Sequence, residues 1–142
     1  MQTVNQLLQR KGYEIETIAP SASVFEALKL MADKGIGSLI VMQDKMLVGL
    51  FTERDYARNV ILKGRTSKET QVKDIMSSQV IVVKPDQTPE ECMAIMTEKR
   101  VRHLPVMKDD ELVGIISIGD LVKAIIEEQQ FVIEQLVSYI SS

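Results

Sequence analysis

Among its 142 residues the chain has one cysteine, Cys92, one histidine, His103, and no tryptophan. A lone thiol excludes an internal disulfide or a multi-cysteine metal cage, and a lone imidazole excludes His-pair zinc chemistry, so no metal site is expected. No apolar run approaches the ~18 residues of a membrane span, and the opening MQTVNQLLQRKGYE lacks the apolar segment of a secretory signal. The expected address is the cytoplasm, away from membranes. Excess positive charge is missing too: 17 Lys+Arg against 20 Asp+Glu leave a net charge of −3, which argues against a nucleic-acid partner. Nor is there a Gly-rich phosphate loop, since Gly35-Ile36-Gly37 lacks a third glycine and follows a helical stretch. What remains, 45% apolar and 26% charged residues with no biased tract, is the composition of a folded domain.

The sequence repeats itself. Displaced by 65 residues, Pro20 to Asp55 matches Pro85 to Asp120 without a gap. The matched pairs include Glu26/Glu91, Met31/Met96, Leu39/Leu104, Val41/Val106, Asp55/Asp120, and Leu47-Val48-Gly49 with Leu112-Val113-Gly114. A unit of roughly 60 residues buries little surface by itself, so the copies are expected to close a shared core about a pseudo-twofold axis.

Each copy reads strand, helix, strand, strand, helix. Tyr13 to Ile18 and Val80 to Val83 are short β-prone runs followed by proline-containing turns. Ser23 with Glu26, and Thr88 with Pro89 and Glu91, mark the starts of helices, and Gly35 marks the end of one. Leu39 to Met42 with Leu47 to Thr52, and Leu104 to Met107 with Leu112 to Ser117, read as hairpins, and the closing helices begin near Glu53 and Ile118. The stretch from Ile61 to Lys73 reads as a solvated linker. The last helix outruns the repeat, with Leu121, Ile125, Val132, Leu136 and Ile140 along one stripe. That stripe either awaits a partner or is covered by Val4, Leu7 and Leu8. Cys92 and most of the eight methionines lie at core positions.

The strings VRHLPV, LVGIISIGDLV and LVGLFTERDYA, in tandem and in this order of elements, resemble the CBS-domain family, whose paired repeats form a Bateman module. The resemblance extends over 15–128, and the long amphipathic tail is similar to that of small stand-alone bacterial members. It implies an α+β fold of two β-α-β-β-α repeats packed sheet to sheet, with a first repeat at 13–62, a linker at 63–75 and a second repeat at 76–128. An N-terminal helical segment at 1–12 and a C-terminal helix extension at 129–142 flank them. It further implies a non-catalytic regulatory module, no catalytic cofactor, a homodimer, an adenosine-containing ligand such as AMP, ATP or NADH, and a downstream protein it does not identify.

The residues at the matching positions suit such a ligand in two ways. Thr52-Glu53-Arg54-Asp55 and Ser117-Ile118-Gly119-Asp120 place a hydroxyl and a carboxylate three apart where a strand enters a helix. That spacing is a favourable helix cap with no ligand present. It also lets an ionised Asp accept from both hydroxyls of a ribose. The resemblance assigns both motifs to ribose binding and combines the acid motif of one copy with the strand entries of the other. Thr52, Arg54, Asp55 and Arg58 would then meet Ile81, Val101, Arg102, His103 and Pro105, whereas Ser117 and Asp120 would meet Ile36, Gly37 and Ser38. The first set carries more cations, for a di- or triphosphate or a dinucleotide; the second suits adenosine or a monophosphate.

Rival readings are a structural module that assembles with its clefts empty and, from a third class, a nucleic-acid-associated factor. Ser117 with His103 lacks the strained elbow and oxyanion loop of a hydrolase, so no enzymatic activity is expected.

Overall fold

Two antiparallel hairpins, one from each copy of the repeat, organise the chain. The computed structural model describes residues 2–141, and the chain divides into two units: Ile15–Val80, and the residues before Ile15 together with those from Ile81 onward.

In the Ile15–Val80 unit, strand β1 (Thr17–Ile18) runs parallel to β2 (Ser38–Gln43), which pairs antiparallel with β3 (Met46–Thr52). Helix α2 (Val24–Lys34) is capped as its sequence predicts: the Glu26 backbone N–H donates to Ser23 Oγ at 3.1 Å, and Gly35 closes it in the left-handed region at φ 65°. Its Val24, Ala27 and Met31 pack with Leu39, Val41 and Phe51 of the sheet. After β3 comes a short helix α3 (Glu53–Tyr56), which widens directly into a π-helical turn, Ala57–Ile61. The Leu62 N–H donates to the Ala57 carbonyl there, five residues back, instead of the four of an α-helix.

The second unit repeats the plan with additions. Helix α4 (Pro89–Lys99) starts at a Thr88 cap, and β4 (His103–Lys108) and β5 (Glu111–Ser117) form its hairpin. Asp109 and Asp110 both lie at positive φ, 50° and 66°, as a two-residue hairpin loop of this hand requires. Cys92, Met96, Leu104, Val106 and Ile116 form a core with Val4, Leu7 and Leu8 of α1 (Val4–Lys11), and with Leu121 and Ala124 of the long α5 (Ile118–Ser141). The core pairs Met31/Met96, Leu39/Leu104 and Val41/Val106 are those the 65-residue offset matched.

Three expectations change. The β-prone runs shrink, to two residues at Thr17–Ile18 and to a single parallel bridge, Val83 with Val106, in the second copy. Pro20 and Pro85, two residues beyond each, have no N–H with which to extend a ladder. The stretch from Ile61 to Lys73 is solvent-facing as far as Glu69 and then turns inward. Thr70 is only 7% exposed, Val72 and Ile75 join the core, and the Val24 N–H donates to the Thr70 carbonyl at 2.8 Å. Val4, Leu7 and Leu8 meet α5 only at its start. From Ile126 onward its large apolar side chains remain exposed, Leu136 at 56% and Ile140 at 80%.

Both hairpins need glycine at the same place. A methyl on Gly114 would stand 2.8 Å from Leu8 Cδ2, and one on Gly49 would strike the Met76 side chain. The repeated Leu-Val-Gly thus lets α1 close onto one hairpin and the Met76 segment onto the other.

Candidate ligand-binding site

The end of β3 delivers Thr52 to the N-cap of α3, and α3 carries Arg54 and Asp55. The Asp55 N–H donates to Thr52 Oγ1 at 3.2 Å; the Thr52 N–H and hydroxyl both donate to Asp55 Oδ2, at 2.9 and 3.0 Å. The cap expected from the spacing is therefore present, and it uses one carboxylate oxygen. Asp55 is half-buried, and burial raises its pKa above the ordinary carboxylate value against the pull of the Thr52 hydrogen bonds and the Arg54 and Arg58 charges. Arg58 sits in the π-helical turn, and both arginines are exposed.

The strand entry of this copy lies against its own acid motif. Ser38 pairs with Thr52 across the sheet, and the Glu53 N–H donates to the Gly37 carbonyl at 3.2 Å. Ile36, Gly37 and Ser38 are thereby gathered beside Thr52 and Asp55, with Ser38 buried.

The second unit builds the same arrangement from different partners. His103 pairs with Ser117, and the Ile118 N–H donates to the Arg102 carbonyl at 2.9 Å. The Asp120 N–H donates to Ser117 Oγ at 3.2 Å, and the Ser117 N–H to Asp120 Oδ2 at 2.8 Å. The same oxygen also takes Lys11 Nζ at 2.7 Å, from the last residue of α1. Burial acts to raise the Asp120 pKa, but the Lys11 and Ser117 hydrogen bonds and the Lys11 charge outweigh it, leaving the group below its ordinary value. Val101 and Ile81 pack against this unit's core, and Pro105 is buried in β4 opposite Ile115.

Sequence reasoning missed Lys11. A basic residue in the last turn of a helix already has a local explanation in the helix dipole, and nothing in the repeat points from it to Asp120. It also missed the π-helical turn under Arg58, which has no sequence signal. Cys92 is buried in the core, where desolvation first and the Glu91 charge second push its thiol up to about 11, the state of an inert small hydrophobe. A cleft of about 350 Å³ lies beside Asp120, lined by Arg10, Lys11, Lys123 and Glu127 among others. A larger one of about 700 Å³, with Tyr13, Lys84 and Lys108 in its wall, includes none of the site residues expected from the sequence. Among the described residues no helix is long and apolar enough to cross a membrane.

Comparison with known proteins agrees with the repeat. The CBS-domain family model matches residues 7–61 and 72–127. The structure of a candidate signal-transduction protein with CBS domains from Burkholderia ambifaria superposes with a TM-score of 0.87 at 50% identity, covering 90% of this chain and 96% of that one. A mitochondrial CBS domain-containing protein of Arabidopsis thaliana is 35% identical over 97% of this chain and 71% of its own length. The inosine-5′-monophosphate dehydrogenase of Korarchaeum cryptofilum is 37% identical, but over only 22% of that enzyme, so its activity does not carry over. With two tandem repeats of the family fold and a C-terminal helix, the chain belongs to the CBS-domain family.

Proposed function

We propose that the chain is a non-catalytic regulatory module of the cytoplasm whose acid motifs bind an adenosine-containing ligand: AMP, ATP or NADH. The carrying observation is the state of Asp55. Its cap occupies Oδ2 alone, leaving Oδ1 as an acceptor for a ribose hydroxyl, and Arg54 and Arg58 stand close enough to act on its charge. Thr52, Ser38 and the Gly37 backbone complete this set. In the second repeat Arg102, His103, Ser117 and Asp120 are the corresponding polar groups, with Ile36, Ile81, Val101 and Pro105 as apolar neighbours of the two strand entries. Output follows only from a difference in ligand affinity between two arrangements of the protein.

Calorimetric titration of AMP, ATP and NADH into the wild type and Asp55→Asn tests the reading. Asparagine keeps an acceptor for the Thr52 N–H but loses the charge, so affinity is expected to fall at least tenfold. Unchanged affinity in the variant overturns the assignment of Asp55.

The module is further proposed to pair with a second copy of itself through α5. Val122, Ile125 and Ile126, then Val132 and Ile133, then Leu136, Tyr139 and Ile140 fall at the first, fourth and fifth places of successive heptads, with Gln129 at the remaining first place. Glu127 and Glu134 sit on the opposite face, while Glu128 flanks the stripe. Two such faces would bury on the order of 1,400 Å², the size of a stable interface.

The rival, an assembly module with empty clefts, is favoured by one observation: both aspartates already satisfy their own helix starts. A thermal shift separates the two, since a ligand at ~100 times its Kd adds about 2.7 kcal/mol.

A further inference from the structure

Asp55 and Asp120 occupy equivalent positions of the repeat, yet their second oxygen-bound donor differs in kind. On Asp55 Oδ2 the two donors are both Thr52, its backbone N–H and its hydroxyl. On Asp120 Oδ2 the backbone donor is Ser117, and beside it stands an ammonium from a distant segment, Lys11 Nζ at 2.7 Å. That ammonium is fixed from several sides. It also donates to the Ile115 carbonyl at 2.6 Å. Its helix is anchored by Val4, Leu7 and Leu8 in the core, by Leu8 against Gly114, and by the Arg10–Glu127 ion pair at 3.3 Å.

A carboxylate that grips a sugar diol must offer an uncompensated charge and open space in front of it. At both motifs the contacts fall on Oδ2; at Asp55 the donors are neutral and the arginines act from a distance, whereas at Asp120 an ammonium touches the carboxylate directly and a lysine side chain stands against it. We infer that Lys11 is a built-in occupant of the second acid motif, so that the resting chain takes one nucleotide, at the Asp55 motif, and the Asp120 motif opens only when Lys11 leaves. This rests on the nucleotide reading above and adds its stoichiometry and its regulation. The cleft beside Asp120 gives the displaced ammonium a place to go: Arg10 and Lys123 line it with Lys11, and an incoming phosphate would draw all three cations.

The test is the number of AMP, ATP or NADH molecules bound per full-length chain at saturation. The wild type is expected to bind one, lost in Asp55→Asn. Lys11→Met, which preserves the aliphatic stem on α1, is expected to bind two, and Lys11→Met/Asp120→Asn one again. Thermal melts confirm that each variant is folded, and Lys11→Arg, which keeps a cation, should bind one. Two molecules on the wild type, or a folded Lys11→Met that still binds one, overturns the inference while the nucleotide reading stands. No binding by any variant overturns the nucleotide reading, and this inference with it.

Discussion

Asp55 and Asp120 share a cap and titrate in opposite senses, because burial prevails at one and a lysine at the other. The fold resists ionising Asp55. Its contribution is favourable below the ordinary carboxylate pKa and is lost as pH rises through the raised one. Asp120 behaves in reverse: its contribution is present above the ordinary value and is lost as pH falls through the lowered one. In Lys11→Met the second contribution disappears. With both partners still partly in contact with water, the expected loss is about 0.5–1 kcal/mol at pH 7, narrowing towards zero below about pH 4. Thermal melts across that range check it, and a difference independent of pH contradicts it. For Asp55→Asn the melting temperature relative to wild type should instead rise as pH rises above the ordinary carboxylate value. Thr52, Asp55, Ser117 and Asp120 were legible because a three-residue spacing is local. Lys11 was not, because its partner is brought to it by the fold alone.

At the scale of elements, the glycine of each Leu-Val-Gly decides what can cover a hairpin. In Gly114→Ala the new methyl meets both Leu8 methyls within 3 Å, and Leu8, 1% exposed, must shift within the core. The expected cost is about 1–3 kcal/mol, with faster amide exchange concentrated in α1. Equal loss of protection throughout the second unit would contradict the local account. Helices α2 and α4 and both hairpins were legible from caps, period and turn chemistry, all of which act over a few residues. The inward turn at Thr70 and Val72 was not. Its sequence is polar and charged, and backbone bonds to the start of α2 and the turn before it draw it onto the core: the Val24 and Phe25 N–H groups donate to the Thr70 and Ser67 carbonyls, and the Val72 and Lys73 N–H groups to the Ala22 and Pro20 carbonyls. Likewise α1 looked like a separate N-terminal segment, although its apolar face completes the core of the second repeat.

For the whole molecule, the 65-residue offset revealed the fold because it paired core residues with core residues, and hydrophobic pattern is what a duplicated fold must keep. The outward face of α5 has no counterpart in the first copy. Its stripe was visible in the sequence, but its exposure became visible only with the structure. If a second copy covers it, Ile133→Glu/Leu136→Glu should convert a particle of twice 16.0 kDa to one of 16.0 kDa in light scattering, with each chain still folded. A wild type already at 16.0 kDa contradicts the pairing. Ligand recognition is the claim on which the regulatory reading turns, and native mass spectrometry of the intact protein with AMP, ATP or NADH tests it most directly. The account predicts one added nucleotide mass per wild-type chain and none on Asp55→Asn. A wild-type mass that none of the three changes, or an Asp55→Asn spectrum that matches it adduct for adduct, would contradict the account.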